Sequence, residues 1–240
     1  MLVKTRGIVL SSIKYSESSI ITKIYTDEYG MLSFIVRGVR KRKARMSASF
    51  FQPFTLLNLD INYKPKSNLQ NIKEIGLEQR TDSLHTDVRK STIALFLAEV
   101  LHKSLEEEQQ DKGLFEFLQL TISFLDSMET SFANFHLIFL IQLSKYLGFY
   151  PSQSQSNQQE YFNMESGVFE ANPYTDQFLN QELSDKLKEL MRLSYIERGL
   201  LKLSSLQRRS LLSEMIRYYQ LHLPGMGRIS SQEVLESVFQ

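Results

Sequence analysis

The amino-acid sequence predicts an α+β protein with an N-terminal five-stranded antiparallel OB-type barrel followed by a C-terminal all-helical bundle. Apolar residues in the first 80 positions recur with a period of two, which is typical of half-buried strands. From about residue 87 the period becomes 3.6, which is typical of amphipathic helices. Basic residues are concentrated in the strand-rich part. We therefore expect a nucleic-acid-binding domain at 1–80 and a helical domain at 81–240.

Five strands are predicted at 4–14, 19–26, 31–39, 57–63 and 69–77. Polar turns separate them. The fifth is the weakest, because Ile72 and Ile75 are spaced by three residues rather than two. Five short strands without an intervening helical pattern favour an OB-type barrel, and an SH3-like barrel fits the same pattern.

About five helices are predicted after the barrel. The segment 132–147 is apolar almost all round, which predicts a helix at the centre of the bundle. A late helix begins at a capping box formed by Ser204 and Gln207, includes Leu206 in its apolar stripe and ends before Pro224. An insertion at about 149–180 interrupts the helices, with a polar run and then a small hairpin.

Composition excludes several classes of protein. The chain has 240 residues and no cysteine, so it forms no disulfide and no cysteine-ligated zinc site. Its longest apolar run covers six residues, Ile93–Ala98, whereas a membrane-spanning helix needs ~20. The first residues lack the apolar stretch of a secretory signal. We expect a soluble cytoplasmic protein.

No catalytic constellation is apparent in the sequence. It contains no nucleophile elbow, phosphate-binding glycine loop or zinc-protease motif, and its four histidines are scattered. We interpret His136 as a core residue and His222 as a partner for the carbonyl groups at a helix end. The sequence therefore predicts neither an enzyme nor a metal site nor a cofactor.

The charge distribution is asymmetric. Residues 1–80 contain 14 basic and 6 acidic residues, and the remainder contains 14 basic and 21 acidic residues. A dense basic run follows the third strand, which favours contact with the phosphates of a nucleic acid. The predicted contacts are Arg37, Arg40, Lys41, Arg42, Lys43 and Arg45 in or beside the run, and Lys4, Arg6, Lys14 and Lys23 on the barrel. Tyr15, Tyr25 and Phe34 are either base-stacking residues or core residues.

Several motifs resemble those of the RecO family of bacterial recombination mediators. The opening Thr5–Leu10 and Lys14–Ser19 are followed by Tyr25–Gly30, Arg37–Arg40 and Gln52–Thr55 in the order and spacing of that family. The helical part matches more loosely, at Gly148–Pro151, Glu165–Phe169 and Ser204–Tyr219. Many members carry four cysteines in the insertion and this chain has none. The hairpin must then be held by the packing of Tyr161, Phe162, Val168 and Phe169, or be mobile.

The resemblance implies an OB barrel and a helical domain, with a non-enzymatic role in DNA repair by homologous recombination. Such proteins bind single- and double-stranded DNA, anneal complementary strands, engage the single-stranded-DNA-binding protein SSB and cooperate with RecR to load RecA. It implies a location in the bacterial cytoplasm, associated with the nucleoid.

Acidic SSB tails with an apolar end should meet a pocket with basic residues in the helical domain. The candidates are Lys186, Lys188, Arg192, Arg208 and Arg209. Two other functions fit the residues: an adaptor whose helical domain binds proteins, and an RNA-binding OB-fold protein.

Overall fold

The computed structural model of the chain describes residues 1–39, 46–105, 110–152, 160–193, 197 and 201–239. The chain forms two compact units, Met1–Ser127 and Met128–Gln240. The first contains a five-stranded antiparallel sheet and three helices, and the second contains four helices and a two-stranded hairpin. The predicted α+β fold class is confirmed. The sheet ends near the expected domain limit at residue 80, and the next three helices belong to the same compact unit as the sheet.

The first strand organises the barrel because it pairs along both of its edges. β1 (Leu2–Lys14) pairs antiparallel with β2 (Ile20–Thr26) through its C-terminal half and with β4 (Leu56–Asn62) through its N-terminal half. A break in register at Val9 to Ser11 lets this one strand bend between the two pairings. The long strand therefore belongs to both halves of the sheet.

The barrel closes between its third and fifth strands. β3 (Gly30–Val36) pairs with β2, and β5 (Asn71–Leu77) pairs with β4, which gives the order β3-β2-β1-β4-β5. Gln70 then forms a parallel bridge with Phe34, and its backbone exchanges hydrogen bonds with Ser33 and Ile35 at 2.8 and 3.1 Å. This is the closure expected of an OB-type barrel. The barrel interior is filled by Val9, Ile24, Leu32, Phe34, Val36, Leu57, Leu59 and Ile61.

Helices of the same unit cover part of the outer face of the sheet. They are α1 (Asp82–Thr86), α2 (Val88–Ser104) and α3 (Lys112–Ser127). Tyr25 is 1% exposed, stacks on Phe115 at 6.2 Å between ring centroids and donates a hydrogen bond to the Asp111 carbonyl at 3.2 Å. Apolar side chains on both faces of β1 and β2 are therefore buried, which explains why alternation in these strands is incomplete.

The second unit is built around its first helix. α4 (Phe135–Tyr146) packs against α5 (Gln181–Met191) and α6 (Ser205–His222), and every residue from Phe135 to Ile141 is buried. The capping box at the start of α6 is present. A final helix, α7 (Ser231–Val238), follows. None of the helices within the described ranges is long and apolar enough to span a membrane.

The cysteine-free insertion forms a hairpin that aromatic side chains hold in place. β6 (Tyr161–Asn163) pairs with β7 (Val168–Glu170), and Phe162 is 1% exposed against Phe169 and Tyr218. Of the other residues expected to pack, Tyr161, Val168 and Phe169 are partly buried. The polar run before it, residues 153–159, lies outside the described residues.

His222 ties the same hairpin to α6. Its Nε2 lies 2.9 Å from the Met164 carbonyl, and its ring stacks on Phe149 at 5.0 Å. We expected His222 to contact carbonyls at the end of its own helix, and this expectation was wrong because the imidazole reaches across to the hairpin. Packing and hydrogen bonds therefore hold the cysteine-free hairpin in place.

Three details of the helical prediction were wrong. The described residues contain seven helices rather than about five, because α1 and α7 were not predicted. Leu206 is 72% exposed, since the inward face of α6 begins at Leu211. In α3 the buried face includes Phe115 and Ile122, which the predicted stripe left out.

Glycine at position 7 allows the two halves of the barrel to approach β1 closely. A Cβ atom at Gly7 would lie 2.6 Å from Ile24 Cγ2 and 2.9 Å from Leu59 Cδ1. We expect Gly7→Ala to lower the free energy of unfolding by ~1–3 kcal/mol through overpacking, measured by urea denaturation.

Gly76→Ala is the matched control for this test. Gly76 lies in β5, and no atom lies within 4 Å of the point that a Cβ would occupy there. We expect this substitution to change stability by no more than about 0.5 kcal/mol. Equal effects of the two substitutions would contradict the proposed close packing at Gly7.

Candidate nucleic-acid interface

Two predicted cations lie at one end of the barrel. Lys14 ends β1, and the pairing register places it opposite Ile20, which in turn lies opposite Val36 at the end of β3. Arg37 follows Val36 directly, and both cationic side chains are exposed. Lys23 lies on the outer face of β2, between Ser11 and Ser33 in the register, and is partly exposed.

The basic run follows Arg37 and Val39 in the sequence. Arg40, Lys41, Arg42, Lys43 and Arg45 lie outside the described residues. The chain is described again from Met46, and a 3-10 turn at Ala48–Phe51 leads back to the barrel. The last residues described before the run are therefore those next to Arg37, at the barrel end that carries Lys14.

Two further lysines sit on the loop between β4 and β5. Lys64 and Lys66 are exposed, and the side chain of Gln70 holds the loop from inside. Gln70 Oε1 accepts from the Lys64 N–H at 2.9 Å, and its Nε2 donates to the carbonyls of Lys64 at 2.9 Å and Ser67 at 2.8 Å. Because the backbone of Gln70 also bonds to β3 in a parallel bridge, the loop lies beside the start of β3, where the Tyr63 ring is 4.3 Å from that of Tyr29 between centroids. This is the opposite end of β3 from Arg37.

These loop lysines were not among the predicted contacts. The segment from Lys64 to Asn68 indicates only a turn, because two isolated lysines do not stand out from a solvated surface. Their relation to β3 depends on the parallel bridge at Gln70, which links residues 36 positions apart and leaves no local signal.

Lys4 and Arg6 lie on a different part of β1. Lys4 is paired with Asp60 across the β1–β4 ladder. Both residues line a shallow groove of about 380 Å³ that also includes Asp27 and Glu28. The surrounding carboxylates make this groove a poor site for a polyanion.

Arg6 is engaged within its own unit. Its Nε donates to Asp27 Oδ2 at 2.8 Å, its Nη1 reaches Gln119 Oε1 at 3.3 Å and Glu78 Oε1 at 3.5 Å, and the guanidinium lies 4.9 Å from the centroid of the Phe115 ring. The hydrogen bond to Asp27 is the main cause that raises the pKa of Arg6. Arg6 therefore joins the sheet to α3, and the cationic end of the barrel does not depend on it.

Asp27 is the acidic centre of this contact. Burial opposes its ionisation, but hydrogen bonds from the Thr5 hydroxyl, the Arg6 backbone and the Arg6 side chain outweigh burial and hold the pKa of Asp27 below its ordinary value. The ionised carboxylate therefore stabilises the folded state.

The predicted stacking residues divide between core and surface. Tyr25 and Phe34 are 1% and 0% exposed and belong to the core, whereas Tyr15 is 61% exposed in the β1–β2 loop. Phe50, on the 3-10 turn after the basic run, is partly exposed and lines a cleft of about 240 Å³ with Arg80 and His85. Burial lowers the pKa of His85.

The basic candidates of the helical unit differ in what they contact. Lys186 pairs with Glu189 on its own helix, and Lys188 bridges α5 to the insertion through Glu160 at 3.1 Å. Arg192 is exposed at the end of α5. Arg208 and Arg209 lie together on α6, where they line a cleft with His136. Within the described residues, no group of three or more acidic or histidine side chains is arranged to hold a metal ion.

The barrel and its basic end define the class of the protein, which is an OB-type barrel protein with a helical C-terminal part. Comparison with known families then identifies it. The family described as Recombination protein O N terminal matches residues 1–80, and Recombination protein O C terminal matches residues 85–228. The chain belongs to the RecO family of DNA repair proteins.

Bacterial relatives match over the whole chain. The DNA repair protein RecO of Phocaeicola vulgatus is 39% identical over 240 residues, covering 100% of both chains. The proteins of the same name from Bacteroides fragilis and Flavobacterium johnsoniae are each 37% identical, also over the full length of both chains.

We expect Asp27→Asn to flatten the acid dependence of stability. In the parent protein the contribution of Asp27 is fully present above the ordinary carboxyl pKa of 3.8 and is lost as the pH falls through the lower folded value. The variant should be less stable than the parent at pH 7, with a difference that shrinks in acid. Urea denaturation across this pH range measures it. Glu28→Gln, an exposed neighbour, is the control, and an unchanged slope in Asp27→Asn would refute the assignment.

Proposed function

We propose that this RecO family protein is a non-enzymatic recombination mediator of the bacterial cytoplasm and nucleoid. In this proposal it binds single- and double-stranded DNA, anneals complementary strands and, with RecR, helps to load RecA onto DNA coated with SSB. The observation that carries the proposal is that Lys14 and Arg37 lie exposed at one end of the barrel, with Arg37 three residues before the basic run in the sequence.

Neutralising phosphates is the physical basis of this activity. Two complementary strands repel each other, and a surface that screens both without reading their sequence brings them together. The basic run supplies a dense set of cations. Lys64 and Lys66 add two exposed cations on the β4–β5 loop, whose backbone the Gln70 side chain holds in place.

Aromatic and guanidinium groups near the same end support a preference for unpaired bases. Tyr15 offers an exposed ring, and Phe50 offers a partly exposed one directly after the run. Stacking is worth roughly 1–3 kcal/mol per base and tolerates any sequence. Single strands can exploit these rings, whereas the stacked bases of a duplex cannot.

The helical unit is the proposed site for the SSB tail. An acidic segment with an apolar end requires cations beside an apolar surface. Arg208 and Arg209 meet this requirement better than Lys186 and Lys188, because they flank a cleft that includes Leu212 and Leu235 and Arg208 bonds only to neutral acceptors among the described residues. Both lysines are paired with carboxylates, as is Arg209, whose pair with Glu236 is long at 3.5 Å.

An RNA-binding role and a purely protein-binding role are the alternatives. RNA competing as well as DNA of the same sequence would favour the first. Single-stranded DNA binding that shows no dependence on salt would favour the second, because contact with phosphates releases counterions.

We expect replacing Arg40, Lys41, Arg42 and Lys43 with Ala to weaken binding of all single-stranded sequences alike. Each lost phosphate contact should flatten the plot of log affinity against log salt by ~0.7, hence by up to ~3 for the four residues. Lys64→Ala with Lys66→Ala should flatten it by up to ~1.4. Fluorescence anisotropy over a salt series measures both.

The matched control removes basic charge from the second unit. Lys145 and Lys202 are exposed there, and their double Ala variant should keep the parent slope. A folded quadruple variant with the affinity and slope of the parent would overturn the placement of the interface. A loss that depends on sequence would indicate base readout instead.

A further inference from the structure

Arg208 is a cation without a carboxylate partner among the described residues. Its Nε donates to Asn134 Oδ1 at 3.0 Å, its Nη1 to the Phe239 carbonyl at 3.3 Å and its Nη2 to the Leu203 carbonyl at 3.3 Å. All three acceptors are neutral, and burial lowers the pKa of Arg208. Removing a charge from water costs free energy that a carboxylate offsets better than carbonyls do. The site is therefore suited to an anion that it does not contain.

The end of α7 covers this site with a carboxylate and an aromatic ring. Glu236 lies 3.5 Å from Arg209, and the carbonyl of Phe239 accepts from Arg208. The Phe239 ring lies 6.5 Å from Phe132 and 6.4 Å from His136 between centroids. A carboxylate followed three residues later by a phenyl ring thus occupies the cleft.

With α7 in place the cleft is almost filled. The remaining cavity is about 10 Å³, at the lower limit for one water molecule. His136, at the base, is fully buried, and burial together with the charge of Arg208 lowers its pKa to about 3, so its ring adds no competing charge. A peptide can reach Arg208 only if the end of α7 moves away.

Among the described residues, few contacts hold α7 against the rest of the second unit. Of its eight residues only Ser231 and Leu235 are buried, and Val234 is 45% exposed. Its ion pair through Glu236 is long, and the Arg209 side chain is 44% exposed, a setting in which such pairs contribute little. The helix also lies beyond the residues 85–228 that match the family's C-terminal domain.

We propose that the end of α7 is a built-in competitor for the site on α6, formed by Arg208, Arg209 and Leu212, to which the proposed function assigns an acidic peptide segment with an apolar residue after its carboxylates. A partner carboxylate replaces the neutral carbonyl on Arg208, and a partner side chain replaces the Phe239 ring. This inference rests on the proposed function for the existence of such a partner, and it adds the regulation of its site.

If α7 competes with the peptide, removing side chains of α7 should increase peptide affinity rather than reduce it. Weakening the cover raises the fraction of molecules that can bind, so Phe239→Ala and Glu236→Gln should each bind the peptide roughly three- to tenfold tighter than the parent. The probe is a labelled hexapeptide of three aspartates followed by Leu-Gly-Phe, measured by fluorescence anisotropy with the full chain. Replacing its aspartates with asparagines should abolish binding.

Two controls separate competition from a loss of structure. Glu233→Gln removes an exposed carboxylate from the same helix, away from the cleft, and should leave peptide affinity unchanged. Arg208→Gln added to Phe239→Ala should remove the gain, and Arg209→Gln in the same background serves if that variant fails to fold. Thermal unfolding by circular dichroism reports folding of each variant.

The outcomes are distinct. If Phe239→Ala and Glu236→Gln fold and bind the peptide no better than the parent, or bind it less well, α7 is a structural helix and the inference is overturned. None of these substitutions lies in the barrel, so single-stranded DNA affinity, measured in parallel, reports failure of the proposed function separately.

Discussion

A single strand with pairing on both edges is the constraint on which the first unit depends. β1 must reach β2 and β4 at once, and at Gly7 the side chains of both neighbours meet above its backbone. Only this arrangement brings β3 and β5 close enough for Gln70 to close the barrel. Closure in turn fixes the β4–β5 loop beside β3. The placement of the cations therefore follows from the course of β1.

The role of each basic side chain depends on whether a carboxylate lies nearby. Arg6 and Lys188 hold elements together, because Asp27 and Glu160 stand within ion-pair distance of them. Lys14 and Arg37 are exposed at one end of the barrel, and Lys64 and Lys66 are exposed on the β4–β5 loop. Arg208 is the intermediate case, since it is desolvated and bonded only to neutral acceptors among the described residues. Cations of the first kind serve the fold, and the others are suited to partners.

Local patterns predicted much of this structure and none of its long-range contacts. Strand alternation located all five strands, and the capping box at Ser204 located the start of α6, because both signals lie within a few residues. The short helices α1 and α7 lacked a full apolar stripe. Gln70 holds the backbone at Lys64, and Phe239 covers Arg208. Both contacts depend on the tertiary fold, so local patterns do not predict them. Whether a basic side chain is exposed or paired with a carboxylate likewise depends on residues that are distant in the sequence. Composition therefore located the basic region but could not show which of its cations are exposed.

Whether the basic end of the barrel brings complementary DNA strands together can be tested by measuring one rate. That rate is the annealing of two complementary single strands, followed by fluorescence energy transfer, with bare strands and with strands coated by SSB. We expect the protein to accelerate annealing in both cases, and excess salt to remove the acceleration because phosphate contacts are lost. Annealing at the same rate with and without the folded protein, on bare as on coated strands, would show that the barrel end does not bring the strands together.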